Sequence, residues 1–221
     1  MNTQTNLLTK TAARMRRSAA GLAVLLSAAL LAGCSILPKP QTDPTRHYVL
    51  TGPALPEVAA AMPTGTLRVG LQTVRIAPYL DSKSMIVRRG ENEIDYRDFA
   101  RWAEPLATGV GRMLGAQLLG SGQVGRVYNQ PFAFDAERDV DVAVSILRCE
   151  GLVRPDGTAA VSFACVVEVT DARPNGSVRM RRVFNAPETA WNEGDYAALA
   201  RQLSEAVTQL SVEVLAALPA R

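Results

Sequence analysis

The residues with the most definite chemical capacity are Leu31-Ala32-Gly33-Cys34. A cysteine thiol behind two small residues is a substrate for thioether attachment of diacylglycerol. Small side chains at Ala32 and Gly33 let the extended backbone enter a peptidase cleft, and cleavage makes Cys34 the first residue. A basic stretch carrying Lys10, Arg14, Arg16 and Arg17 and an apolar run from Ala19 to Leu31 complete a bacterial lipoprotein signal. The competing reading is a membrane-spanning anchor. As a helix, residues 18–31 would reach about 21 Å, short of the roughly 30 Å hydrocarbon core, and Pro38 and Pro40 stop any continuation. The chain is therefore read as a signal peptide over residues 1–33, an extended Pro-rich tether over 34–44, and one lipid-anchored domain over 45–221.

The remaining chemistry is sparse. His47 stands alone as histidine and no Cys-x-x-Cys spacing occurs, so the donors for a zinc site are lacking and no metal is expected. A serine–histidine dyad would depend wholly on His47, and there is neither a Gly-x-Ser-x-Gly elbow nor a Walker loop. Gly109, Gly111 and Gly115 lack dinucleotide spacing and fall inside a helical pattern. Asp139, Asp141, Glu150 and Glu168 lie on alternating strands, where carboxylates usually face solvent rather than pair for acid–base work. With Cys34 assigned to lipid, Cys149 and Cys165 form an even pair in an oxidising compartment and are candidates for a disulfide across two strands. Both are read as sharing one face with Leu147 and Phe163. Arg101-Trp102-Ala103-Glu104-Pro105 sets an aromatic, a cation and an acid just before a helix. It reads as a hydrophobic staple or as a partner-docking motif formed by Arg101, Trp102, Glu104 and Pro105.

Charge points the same way. Of 24 Lys and Arg, four precede Cys34, which leaves 20 against 21 Asp and Glu and a mature charge of about −1. That balance offers no basic patch for nucleic acid; Arg179, Arg181 and Arg182 read as a solvated sheet face.

The elements that must position these residues follow from periodicity. Residues 66–76 alternate as one strand, and 84–88 and 93–99 form a hairpin about Gly90. A helix begins with Pro105 at its first position and runs to Gly120. Its three glycines suggest close packing on a sheet. Two long alternating strands, 139–153 and 158–171, are joined by Arg154-Pro155-Asp156-Gly157, and 177–185 pairs next after a turn at Pro174-Asn175-Gly176. A last helix starts at the N-cap Asp195 and carries the stripe Tyr196, Leu199, Leu203, Val207, Leu210, Val214 and Leu218. The fold class is α+β, a mainly antiparallel mixed sheet with two main helices on one face.

With the lipobox, Tyr48-Val49-Leu50, Ile76-Ala77-Pro78-Tyr79-Leu80-Asp81 and Arg101-Trp102-Ala103-Glu104-Pro105-Leu106 in place, the chain resembles the PqiC-like family over about residues 45–218. These are auxiliary lipoproteins of ABC-type and MCE (mammalian cell entry) transport systems in Gram-negative bacteria. The resemblance implies a non-enzymatic outer-membrane lipoprotein facing the periplasm, with no cofactor beyond the lipid on Cys34. Its implied partners are a periplasm-spanning MCE protein and inner-membrane transporter components, with self-association as a further expectation. The role so implied is lipid transport and membrane integrity. A structural or assembly-factor lipoprotein that handles no lipid is the alternative.

Overall fold

The computed structural model describes residues 42–52, 65–173 and 176–219. The signal peptide, Cys34 and most of the tether lie outside the described residues, as does the turn at Pro174-Asn175. The described domain belongs to one unit, Pro44–Arg221.

Two strands form its spine: β7 (Val140–Val153) and β8 (Ala159–Asp171), antiparallel along their whole length. Their turn is closed by Asp156, whose Oδ1 accepts from Thr158 N at 2.9 Å, while Gly157 supplies the positive φ of +82°. The free edge of β8 takes β9 (Val178–Asn185) and the short β10 (Thr189–Ala190), both antiparallel.

The other edge of β7 is shared, end to end and in parallel, by β2 (Leu67–Leu71), β3 (Arg75–Ile76) and β4 (Ser84–Arg89). From there the sheet forks. One arm continues from β2 to β6 (Val124–Asn129), the other from β4 through β5 (Glu93–Trp102) to β1 (Arg46–Tyr48). Helices α1 (Leu106–Gly120) and α2 (Tyr196–Ala217) cover one face and share a single buried core with it. The class is α+β with a mixed sheet.

Alternation located the long strands to within a residue or two, but residues 66–76 do not form one strand. The chain spends one extra residue between Leu71, opposite Val142, and Arg75, opposite Ser145. That jog turns Thr73 to solvent and sends Val74 into the core, reversing the expected faces. Pro105 is the N-cap of α1 rather than its first helical residue; Asp195 caps α2 as expected, accepting from Ala198 N at 2.9 Å.

Candidate functional site

The Arg101–Pro105 segment is where three elements meet. Trp102 N donates to Lys83 O and Ala103 N to Tyr48 O, each at 2.7 Å, which locks the end of β5 between β4 and β1. Alternation along β5 puts Ala100 and Trp102 in the core and leaves Phe99 and Arg101 outside. Glu104 turns inward. Its Oε1 accepts from Arg112 Nη2 at 2.6 Å and from Nε at 3.2 Å, and the same Nη2 donates to Leu50 O at 2.8 Å. A Cβ on Gly109 would stand 3.1 Å from Glu104 Oε1, so this glycine makes room for the carboxylate. The hydrogen bond to the Glu104 carboxylate raises the Arg112 pKa further. The motif thus divides: Trp102, Pro105 and Glu104 hold the fold, and Arg101 faces water, its Nε on Asp98 O at 3.0 Å. Docking through Glu104 would require it to give up Arg112.

Of the four carboxylates expected outside, Glu168 stays partly open, its side chain 32% exposed beside Arg181, whereas Asp139 and Asp141 are largely covered, at 12% and 16%, against Arg68 and Arg138. Glu150 departs furthest from the expectation: it is 1% exposed. Its Oε1 accepts from Arg88 Nε at 2.5 Å, while Oε2 is buried with no hydrogen-bond donor among the described residues. Arg88 lies 5.3 Å from the centroid of the Tyr79 ring, and the Tyr79 hydroxyl donates to Leu147 O at 2.9 Å. Burial, with the Glu150 charge adding to it, pushes the Tyr79 phenol up to about 12. Sequence reasoning missed this trio because it read strand carboxylates as solvent-facing and could not see Tyr79 folding over this end of β7.

Cys149 and Cys165 are both buried and free. Cys149 lies opposite Phe163 and Cys165 opposite Ile146, with a bulge between Ile146 and Arg148. The two cysteines are therefore diagonal neighbours, a relation that puts Cα atoms about 7–8 Å apart, beyond the usual disulfide span of about 4.4–6.8 Å. The same bulge pushes Leu147 outward to 42% exposure, so it does not share the cysteine face.

Two surface hollows flank these elements. A groove of about 560 Å³ between α1 and the β2–β6 arm is lined by Leu71, Val74, Ala107, Leu119 and Val127. Gly111 and Gly115 border it with room for a Cβ, at 3.5 Å and 3.9 Å from the nearest neighbours, so these two glycines do not reflect the tight packing expected of them. The second, of about 510 Å³, lies at the β1–β5 edge among Pro44, Arg46, Tyr48, Phe99 and Tyr196. Among the described residues no group of three His, Cys, Asp or Glu is placed to hold a metal ion, and His47 sits exposed on β1. No helix among them is long and apolar enough to cross a membrane.

The family model described as ABC-type transport auxiliary lipoprotein component matches residues 48–215. The chain belongs to this family. Solved structures with the same fold include protein XCC0632 from Xanthomonas campestris, of the family DUF330, at TM-score 0.63 and 20% identity over 77% of this chain and 92% of that one. Another, the crystal structure of an uncharacterized protein, aligns at TM-score 0.55 and 19% identity over 77% and 95%. No curated protein sequence matches the chain.

In this auxiliary lipoprotein the two phrases that carry the family resemblance have distinct structural tasks. Ile76 to Asp81 fills the notch where the sheet forks: Ala77 N donates to Ile146 O at 2.9 Å, and Tyr96 Oη donates to Tyr79 O at 3.0 Å. Arg101 to Leu106 fastens the opposite arm to α1 through Glu104 and Arg112.

Proposed function

We propose that this auxiliary lipoprotein is a non-enzymatic outer-membrane subunit of an MCE-type lipid transport system, anchored by acylated Cys34 and acting with a periplasm-spanning MCE protein and its inner-membrane transporter. The observation that carries this reading is the family match across nearly the whole domain, joined to a lipobox ten residues ahead of Pro44. The charged groups support a scaffold rather than a reaction centre: the strand carboxylates are each spent on an arginine, and Glu104 and Arg112 tie the N-terminal strand to α1. Ser35 follows Cys34 in place of the aspartate that commonly retains lipoproteins in the inner membrane, which favours export to the outer one.

Deletion of the gene should sensitise cells to detergent. The full-length protein should restore resistance and fractionate with the outer membrane, and Cys34→Ser should do neither. Full complementation by a soluble Cys34→Ser protein would contradict the anchored role.

A further inference from the structure

We infer that the free edge of β6 and the groove beside it form a strand-addition site. It takes an extended, uncharged segment of another polypeptide, with apolar side chains at alternate positions.

The main-chain half of the site is an edge without the usual protection. β1 and β10 are only three and two residues long, and β9 carries Arg179, Arg181 and Arg182; shortness and charge both keep other strands off an edge. β6 is six residues long and, among the described residues, pairs with β2 alone. Its one charged side chain, Arg126, is drawn to the Tyr128 ring, 4.8 Å from the centroid. Gln130 N donates to Leu71 O at 3.0 Å, so alternation turns the N–H and C=O of Val127 and Asn129 away from β2. Main-chain donors and acceptors in that alternating order are complementary to another strand.

The groove supplies the side-chain half. Val127 and Asn129 line it, so an added strand sends every second side chain down between β6 and α1. That space is about 560 Å³, with Leu71, Val74 and Leu119 among its walls. On α1, a Cβ at Gly111 or Gly115 would stand 3.5 Å or 3.9 Å from its nearest neighbour. The domain's own packing therefore does not demand these glycines, although glycine weakens a helix relative to alanine. They keep the α1 wall low for an occupant. The lining holds one charged residue, Arg112, already engaged by Glu104 and Leu50 O, and an uncharged segment fits that wall. A second copy fits less well, because its own β6 would offer the groove only Val127 and Asn129.

The test uses the full chain, purified from its own membranes and held in phospholipid nanodiscs. The probe is the synthetic peptide acetyl-Gln-Val-Thr-Val-Thr-Val-Gln-amide. Two control versions carry N-methyl groups on the valines or on the threonines, so that one of them blocks pairing whichever way the strand runs. The parent peptide should slow amide exchange at Val127 and Asn129 about tenfold, as entry into a ladder does, and one N-methylated version should lose the effect. Gly115→Leu fills the groove and should remove the protection, while Tm holds or rises because leucine is the better helix former. No protection by the parent peptide, or equal protection by both N-methylated versions, would overturn main-chain pairing. Protection that survives Gly115→Leu would overturn the part given to the groove. Slow exchange at Val127 and Asn129 without peptide, whether constant or growing with chain concentration, would show the edge already paired within the chain or with a second copy, and would overturn the proposal.

Discussion

Glu104 and Arg112 form a two-step clamp: the carboxylate grips the guanidinium at 2.6 Å, and the guanidinium grips the Leu50 carbonyl at 2.8 Å. Residues eight apart in sequence, one before α1 and one within it, thereby hold the chain just after β1 against the helix. The arrangement explains why an acid precedes this proline and why Gly109 has no side chain.

Glu104→Ala should destabilise the domain by about 1 kcal/mol, since the pair is partly exposed and solvent-screened but its loss also takes away the carboxylate that holds Arg112 on the Leu50 carbonyl. In a domain this size that lowers Tm by roughly 2–4 °C. Amide exchange should speed up selectively around residues 48–52. Arg101→Ala should leave Tm unchanged, and equal Tm losses for the two variants would show that the clamp is not where the structure puts it.

Trp102 is 6% exposed and anchors the end of β5. Trp102→Ala should cost about 3–5 kcal/mol, as large core truncations do, measured by urea denaturation. A cost under about 1 kcal/mol, the scale of a surface change, would mean the ring is not part of the core.

Arg88 is the partner of a carboxylate with no access to water, its own side chain 15% exposed. Arg88→Ala should therefore cost about 3–5 kcal/mol by stranding the Glu150 charge, far more than Glu104→Ala. Replacing both together, Arg88→Met with Glu150→Leu, should recover most of that loss, because well-packed apolar pairs substitute for buried ion pairs. Additive losses in the double variant would refute a direct pairing.

Burial pushes the Cys165 thiol up to about 12 and that of Cys149 higher still, against an unfolded value of about 8.5. Above the unfolded value the unfolded chain loses these protons while the folded one keeps them, so stability is fully present below about pH 8.5 and falls as pH rises toward 12. Tyr79 adds to the same decline from about pH 10. Thermal melts should show the fall, and Cys149→Ala should make it shallower. In native protein at pH 8 neither thiol should react with iodoacetamide, and in denaturant without reductant both should. If neither reacts until a reductant is added, the two cysteines are bonded.

Sequence made the local features legible and left the long-range ones hidden. Asp195 announces the start of α2 because a cap is a local hydrogen bond, and Arg154-Pro155-Asp156-Gly157 announces the β7–β8 turn because Gly157 and Asp156 each meet a local demand. The fork was not legible, since nothing in residues 66–89 states that three strands will share one edge of β7. The short β10 has two residues and no periodicity to read. Trp191, just after it, packs where a Cβ on Gly151 would come within 2.7 Å of its ring, a complementarity between residues forty apart. Leu147 was misplaced because the bulge after Ile146 leaves two successive residues, Leu147 and Arg148, outside and so separates it from the face of Cys149; Glu150 was misplaced because a tyrosine distant in sequence folds over it.

The central claim is that this domain serves an MCE-type transporter, and capture of the complex from intact envelopes tests it most directly. An affinity-tagged MCE-domain protein, extracted from outer and inner membranes in mild detergent, should retain the acylated chain through washing and release both in fixed proportion on gel filtration. Cys34→Ser, still folded but untethered, should be retained much less. If the acylated protein washes away from the tagged partner as completely as an unrelated outer-membrane lipoprotein does, the assignment to an MCE system is contradicted.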